Sequence, residues 1–249
     1  MTTEHVIVED VDGVRIITMN RPDKRNALTM AMYDAMATAL NGADRSAEIG
    51  AVLIRANGGL FTGGNDLGDF MNNPPTGADS PVFRFLNALV GCGLPIVAAV
   101  EGKAVGVGTT MLLHCDLVYA APSAQFHLPF VDLGLVPEAG SSLLLPRLLG
   151  PARAARMLML GEAVDAETAA AEGLVTAVIP AEQLDRTARA KASALAAKPR
   201  QALRHTKALM RGDLDAVRTA MVREGEIFGK LLRSPEAMAA FQAFFAKKA

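Results

Sequence analysis

The sequence feature that most constrains the fold is the alternation of short apolar runs with helical segments before about Gly140. The runs "GAVLIRAN" and "LPIVAAV" are apolar at successive positions, which is typical of strands buried on both faces of a sheet. "TMAMYDAMATALNGA" carries apolar residues at helical spacing, and Thr29 is suited to cap its first turn. This alternation predicts an α/β domain built in layers.

Beyond Gly140 the pattern becomes helical and rich in alanine. Segments such as "PARAARMLMLG" and "AEQLDRTARAKASALAAK" predict successive helices, separated by Gly or Pro. One short predicted strand, "LVTAVI", interrupts them. The second half therefore contributes mostly helices to the fold.

One segment between the predicted elements differs from the rest in composition. "NNPPTGADSP", residues 72–81, has two prolines, a glycine and little apolar content. This composition predicts a mobile surface segment.

Composition and charge limit the classes of function. The chain has 249 residues, of which 51% are apolar and 20% charged, so it can bury a substantial core. Its formal net charge of -1 gives no electrostatic reason to expect a nucleic acid or an anionic membrane as partner. The four histidines are scattered without the spacing of metal ligands, so we expect no metal site.

The cysteines and the first residues of the chain give indications of the cellular compartment. Cys92 and Cys115 are far apart and form no CxxC motif, which suits a reducing environment. The opening "MTTEHVIVED" is acidic and polar, unlike a signal peptide. Apolar stretches end well before the roughly 18 residues that a membrane-spanning helix needs. We therefore expect a cytoplasmic protein without a membrane partner.

Two glycine-bearing loops could place backbone N–H groups against a ligand oxygen. In "FTGGNDLGDF", Gly63 and Gly64 allow a close backbone approach, although an ordinary turn explains them equally well. In "AVGVGTTMLLHCD", Gly106 opens a helix whose first N–H groups would suit a developing oxyanion. The alternative there is close helix–strand packing, and the pattern does not match a dinucleotide-binding fingerprint.

A third stretch, "LGLVPEAGSSLLLPRLLG", contains one carboxylate, Glu138, among apolar and small residues. Two interpretations are open. Glu138 could cap or complement the dipole of the helix that follows. It could instead be an acid that transfers a proton inside an apolar pocket.

Taken together and in this order, the three loops resemble the crotonase (enoyl-CoA hydratase/isomerase) superfamily. The resemblance covers most of the chain and is carried by five segments: "NRPDKRNAL", "FTGGNDL", "AVEGKAVGVGTTMLLHCDLVYA", "AQFHLPFVDLGLVPEAGSS" and "GEAVDAETAAAEGLV". It implies a spiral of strand–strand–helix repeats over residues 1–195 and a C-terminal helical trimerisation region over 196–249. It also implies a homotrimer or a hexamer.

The same resemblance implies a coenzyme A thioester as substrate, with no separate cofactor. The N–H groups of Asn65 and Val107 would polarise the thioester carbonyl, and Glu138 would be the base. The remaining positions that the resemblance places at the substrate are Lys24, Arg25, Ala27, Gly63, Gly64, Asp66, Gly106 and Phe130. Plainer interpretations also exist: a solvated surface loop for Lys24 and Arg25, and loop hydrogen bonding for Asp66.

The acids select among the reactions of the superfamily. By the resemblance, the hydratase branch uses two glutamates, but this chain has Thr110 and Phe130 at those two positions, and neither side chain can exchange a proton as a carboxylate does. In the isomerase branch the base is a glutamate in a "PE(A/G)" turn, which Glu138 matches. "FTGGNDL" also resembles the "SGNDL" loop of peroxisomal-type isomerases. The leading prediction is a 3-enoyl-CoA to 2-enoyl-CoA isomerase of fatty acid oxidation, with Glu138 as the single acid/base.

Three alternatives stay open at this point. The chain could be a weak enoyl-CoA hydratase that uses Glu138 alone. It could be an isomerase of ring-type acyl-CoA intermediates in aromatic degradation. It could also be a non-catalytic acyl-CoA-binding protein, although the two glycine loops beside Glu138 argue against this.

Overall fold

The computed structural model describes residues 4–74, 77 and 79–246. The predicted surface segment at 72–81 includes residues 75, 76 and 78, which lie outside the described residues. The prediction that this segment is mobile therefore remains a prediction.

The strands form two sheets. The larger has the order β1-β2-β3-β4-β6-β9, and β1 is the strand that runs antiparallel to its neighbour; the smaller has the order β5-β7-β8. Their bounds are β1 Val6–Val11, β2 Val14–Met19, β3 Ala51–Ala56, β4 Ile96–Val100, β5 Lys103–Val105, β6 Leu117–Ala120, β7 Gln125–His127, β8 Val164–Asp165 and β9 Ala177–Val178.

The helices alternate with strands in the first half of the chain and predominate toward the C-terminus, as the sequence predicts. Their bounds are α1 Met30–Arg45, α2 Leu67–Asn72, α3 Pro81–Gly91, α4 Val107–Thr110, α5 Ser141–Leu149, α6 Pro151–Leu158, α7 Ala166–Ala171, α8 Ala181–Ala196, α9 Arg200–Arg211, α10 Leu214–Leu231 and α11 Pro235–Ala246. Three 3-10 turns cover Pro22–Lys24, Met111–His114 and Val131–Leu133.

Strand–strand–helix units recur along the chain, as the resemblance implies. β4 enters the larger sheet and β5 the smaller one before α4 follows; β6 and β7 repeat this before α5. Each repeat thus adds one strand to each sheet. The loops that connect a short strand to the next helix are consequently stacked beside one another.

Both faces of the larger sheet are covered, which explains the continuous apolar runs. One face packs against the main core that includes α1 and α3. The other face, with Leu53 and Val97, packs against α8 through Leu184, Ala188 and Ala192. Thr29 caps α1 by accepting a hydrogen bond from the backbone N–H of Met32, as predicted.

Short elements differ from the sequence expectation. β5 and β8 form where the pattern shows glycine loops and helix, because their few residues are held only by pairing with β7. The strand predicted from "LVTAVI" shortens to Ala177–Val178. In "FTGGNDLGDF" the loop ends at Asp66, whose side chain caps α2. Within the described residues, no helix is long and apolar enough to cross a membrane.

Candidate active site

The first glycine loop leaves the N–H of Asn65 available. Leu28 forms a parallel bridge with Asn65, and in this geometry the hydrogen bonds run through the two flanking residues. Leu28 N–H donates to Gly64 O at 2.8 Å, and Asp66 N–H donates to Leu28 O at 2.9 Å. In the part of the chain that the structure describes, Asn65 N–H has no acceptor. It can therefore donate to a ligand.

The second glycine loop leaves the N–H of Val107 available in the same way. Gly106, at φ 55°, reverses the chain between β5 and α4, and its N–H donates to His127 O at 2.8 Å. The N–H groups of Thr109 and Thr110 return to Gly106 O. Among the described residues none accepts from Val107 N–H, which is the first N–H of α4.

Glycines bring these two loops into direct contact. A Cβ atom on Gly64 would lie 3.0 Å from Val105 O, and one on Gly108 would lie 2.4 Å from Thr62 Cγ2. Gly64 also has a φ of 88°, which side-chain-bearing residues rarely adopt. The functional interpretation of Gly64 thus has a steric basis, because no larger residue fits between the loops without movement.

Glu138 does not cap the helix that follows it. That helix, α5, has Gly140 at its N-cap, with no hydrogen bond from the N-cap side chain. The Glu138 side chain instead points inward, with 8% of its surface exposed, and Oε1 has no hydrogen-bond partner among the described residues. The capping interpretation is therefore wrong, and an unpaired buried carboxyl oxygen remains to be explained.

The pKa of Glu138 is raised to about 8. The main cause is burial, because an ionised carboxylate loses its hydration there. The negative charge of Glu224 raises the pKa further, and a hydrogen bond from the Thr110 side chain acts in the opposite direction. A carboxyl with this pKa changes its protonation state near neutral pH, as a proton-transfer group requires.

Glu138 opens into a small apolar cavity between α2, α3 and α10. The cavity encloses about 30 Å³. Phe70, Phe83 and Phe228 contribute to its wall, and Gly225 and Gly229 give α10 a small surface there. Glu138 is the one titratable side chain among the described residues that line it. This surrounding explains the unpaired oxygen, since the other described residues of the wall carry no polar side chain.

Two residues that the sequence pattern did not indicate belong to the site. Tyr33 on α1 is fully buried and donates its hydroxyl hydrogen bond to Asn65 Oδ1. Burial and then the charge of Glu138 raise the pKa of Tyr33, so its hydroxyl stays protonated. No sequence signal distinguishes Tyr33 from a core tyrosine on an amphipathic helix.

Glu224 on α10 is the second such residue, and the sequence pattern of α10 does contain a signal for it. The buried positions of α10 are Val217, Met221, Glu224 and Phe228, so an acid occupies the apolar stripe of the helix. An acid in such a stripe is rarely buried without a partner. Glu224 accepts hydrogen bonds from the N–H groups of Gly140 and Ser142 and from the Ser142 hydroxyl.

The loop at 22–27 lies against the first glycine loop, because Gly63 N–H donates to Arg25 O at 2.8 Å. The side chains of Lys24 and Arg25 are exposed, and Ala27 is half-buried. Contact of this loop with a ligand stays a prediction. Asn26, fully buried, ties the loop to Asn57 O and Leu60 O.

The side chains of Asp66 and Phe130 both contact other parts of the protein. Asp66 pairs with Arg21 at 2.7 Å and caps α2, as the loop interpretation expects. Burial would raise the pKa of Asp66, but the Arg21 hydrogen bond and backbone N–H groups hold it below its usual value. Phe130 is buried in the main core and is absent from the wall of the Glu138 cavity. Their substrate contacts stay predictions.

The fold and these loops agree with comparisons to known proteins. Residues 9–249 match the family model described as enoyl-CoA hydratase/isomerase. The chain therefore belongs to this family, the crotonase superfamily. No group of His, Cys, Asp or Glu within the described residues could hold a metal ion.

Three similar proteins show the range of the family. Human "Enoyl-CoA delta isomerase 2" is 38% identical over 84% of this chain and 54% of that protein. "Probable enoyl-CoA hydratase" of Rhodobacter capsulatus is 34% identical over 100% of this chain and 97% of that protein. A crystal structure of an enoyl-CoA hydratase/isomerase from Pseudoalteromonas atlantica superposes with a TM-score of 0.94 at 43% identity, covering 98% of each chain.

The chain spans about half the length of the human and rat isomerases that it matches. The similar proteins include enoyl-CoA isomerases, enoyl-CoA hydratases and the 1,2-epoxyphenylacetyl-CoA isomerase of Escherichia coli. Family membership consequently leaves the specific reaction open.

Proposed function

We propose that this protein isomerises a 3-enoyl-CoA to a 2-enoyl-CoA in fatty acid oxidation. The observation that carries the proposal is the single titratable side chain, Glu138, in the described wall of an apolar cavity. One carboxylate that reaches two carbon atoms is sufficient for a double-bond shift. Hydration of a double bond needs groups that also hold and activate a water molecule.

In the proposed reaction, ionised Glu138 removes a proton from C2 of the substrate. The electrons of that C–H bond form a dienolate, whose oxygen accepts hydrogen bonds from the N–H groups of Asn65 and Val107. Protonated Glu138 then returns the proton to C4, which moves the double bond from C3–C4 to C2–C3 and restores the carboxylate. No atom is gained or lost.

Several observations support these roles. The N–H groups of Asn65 and Val107 have no acceptor among the described residues, and their loops are in contact. Each preorganised donor of this kind is typically worth about 3 kcal/mol of barrier. The apolar wall also favours return of the proton over side reactions with water.

Two features argue against efficient hydration. Thr110 is buried near Glu138 but has a hydroxyl group, which cannot act as a second carboxylate base. Glu224 is the nearby carboxylate, and its two oxygens are engaged by Gly140 and Ser142. Among the described residues, Glu138 thus has no second acid beside it that is free to share a water molecule.

We also propose that copies of the chain assemble into a homotrimer or a hexamer. The support is a set of large apolar side chains left exposed on one copy: Met159, Leu160, Leu209 and Met210 are 69%, 67%, 83% and 79% exposed. Apolar exposure of this extent is typical of surfaces that become covered by a partner. Light scattering coupled to size-exclusion chromatography measures the assembly directly.

The decisive experiment is a substrate panel with wild type and Glu138→Gln. The wild type should convert 3-hexenoyl-CoA to 2-hexenoyl-CoA much faster than it hydrates 2-hexenoyl-CoA. E138Q keeps the shape of the side chain but cannot accept the proton, so isomerisation should fall by about 10²–10⁴-fold. Full isomerase activity of E138Q would contradict the proposal. Faster hydration than isomerisation by the wild type would support the hydratase alternative, and binding without turnover the non-catalytic one.

A further inference from the structure

The turn that carries Glu138 has an unusual backbone. Ala139 and Gly140 follow Glu138 with φ values of 61° and 72°, two successive residues in the left-handed region. For alanine this conformation is unfavourable and persists only when the surroundings hold it. The direction of the Glu138 side chain depends on this turn, because it sets where α5 begins relative to the preceding proline.

The main contacts that hold the turn come from residues far away in sequence. Glu224 accepts from Gly140 N–H at 2.7 Å and from Ser142 N–H at 2.9 Å. It also accepts from the Ser142 hydroxyl. His114 Nε2 donates to Ala139 O at 2.8 Å, because a carbonyl oxygen can only accept. Burial lowers the pKa of His114 to about 4, so its ring is neutral.

The hydrogen bonds of Glu224 suit an ionised carboxylate. Three donors converge on its two oxygens, and a carboxylate can only accept. The N-terminus of α5, where it binds, favours a negative charge. Its side chain is buried, with 6% of its surface exposed, so these bonds are shielded from water. Burial raises the pKa of Glu224 above its ordinary value, and the hydrogen bonds from Ser142 and Gly140 act in the opposite direction because they stabilise the ionised form. Glu224 therefore performs the capping role that the sequence placed on Glu138.

We propose that Glu224 is a positioning residue for the base: its carboxylate caps α5 from α10, locks the left-handed turn at 139–140 and so aims Glu138 into the apolar cavity. The proposal rests on the proposed function, because Glu138 needs aiming only if it transfers a proton. A second effect is expected as well, since the negative charge of ionised Glu224 disfavours the ionised form of Glu138.

The other groups around Glu138 leave Glu224 as its negatively charged neighbour. From α1, Tyr33 stays protonated, and the 3-10 turn after α4 contributes the neutral ring of His114. From α4, Thr110 contributes a hydroxyl group. The described residues of α2 and α3 that face the cavity are apolar. Removing the charge of Glu224 should therefore lower the pKa of Glu138.

The test compares Glu224→Gln and Glu224→Ala with a matched control on the same helix. Asp213 caps the N-terminus of α10 by accepting from the N–H groups of Asp215 and Ala216. Asp213→Ala thus weakens the helix that carries Glu224 without touching the turn at Glu138. All variants are compared by kcat and KM for 3-hexenoyl-CoA, the pH profile of kcat/KM, and thermal unfolding.

We expect E224A to lower kcat by about 10- to 100-fold, since small misplacements of a reacting group have effects of this size. KM should change by less than about twofold, because the predicted coenzyme A contacts, in the loop at 22–27, do not involve Glu224. E224Q should lower kcat less and move the acid limb of kcat/KM to lower pH. D213A should lower the unfolding temperature but leave kcat and the pH profile unchanged. If E224A is insoluble, E224Q alone decides.

A second readout does not depend on turnover. In protein labelled with ¹³C at the glutamate carboxyl carbons, the signal of Glu138 is identified by its loss in E138Q, and its titration is followed by NMR. E224Q should lower the midpoint of this titration, and D213A should not. An unchanged midpoint in E224Q, or an equal loss of kcat in E224A and D213A, overturns the proposal. If the wild type shows no isomerisation, the proposed function fails, while the NMR titration still tests the effect of Glu224 on Glu138.

Discussion

The two glycine loops and the turn at Glu138 are held in opposite ways. The glycine loops are fixed mainly by backbone hydrogen bonds to adjacent strands and by the absence of side chains at Gly64 and Gly108. The Glu138 turn is fixed by side chains from distant elements, His114 and Glu224. The proposed oxyanion donors therefore depend on local backbone geometry, whereas the proposed base depends on packing between helices.

The largest effect predicted by this comparison is on the first glycine loop. Gly64→Ala must relieve a contact of 3.0 Å with Val105 O and a φ of 88°, so the loops should separate. Loss of one oxyanion donor would then lower kcat for 3-hexenoyl-CoA by about 10²–10³-fold. Steady-state kinetics measure this loss.

Gly59→Ala is the control for Gly64→Ala. Gly59 has a similar φ of 69°, but nothing lies within 4 Å of the position where its Cβ would be. It should therefore lower stability without a large effect on kcat. Equal losses of kcat in the two variants would contradict the role given to loop contact.

The next effect concerns the base and pH. Because burial raises the pKa of Glu138 to about 8, only a fraction of the free protein carries the ionised base at neutral pH. kcat/KM should therefore fall about tenfold for each pH unit below about 7.5 and level off above about 8.5. A profile that is flat between pH 6 and pH 9 would show that Glu138 is not the base with this pKa.

Tyr33→Phe tests how far the position of the first glycine loop depends on a side-chain hydrogen bond. The variant removes the hydroxyl that donates to Asn65 Oδ1 and leaves the packed ring in place. One hydrogen bond is worth about 0.5–1.5 kcal/mol, so kcat should fall about two- to tenfold. Tyr119→Phe, on the sheet face that packs against α8, is the matched control and should leave kcat unchanged. A loss larger than that of Gly64→Ala would reverse the comparison between the two regions.

The smallest effect is on stability. The pKa of Glu138 is higher in the folded protein than its ordinary value of 4.5, so the folded state binds more protons between pH 4.5 and about 8. The contribution of Glu138 to the free energy of unfolding is therefore present at low pH and is lost as the pH rises through about 8. The unfolding temperature of the wild type should therefore fall relative to that of E138Q over this window. A constant difference between pH 5 and pH 9 would contradict the raised pKa.

The sequence by itself determined the elements whose signal is local. Apolar periodicity placed the buried strands and α1, and Thr29 marked the start of that helix. The three loop motifs in order placed the chain in its family, which the family match confirms. Short strands such as β5 and β8 carry too few residues for a periodic signal, so only their pairing with β7 defines them.

Only the tertiary structure decided what Glu138 does in its loop. In sequence, "PEAGSS" is compatible with a helix cap, because an acid just before a helix satisfies free N–H groups. In the fold, Glu224 supplies that cap from 86 positions further along the chain, and Glu138 turns into the apolar cavity. The physical reason is that capping needs one carboxylate at the helix end, and a contact between α5 and α10 cannot be seen in either segment alone. The stretch "LGLVPEAGSS" contains the acid, and the contact between α5 and α10 leaves its side chain free for the proposed proton transfer.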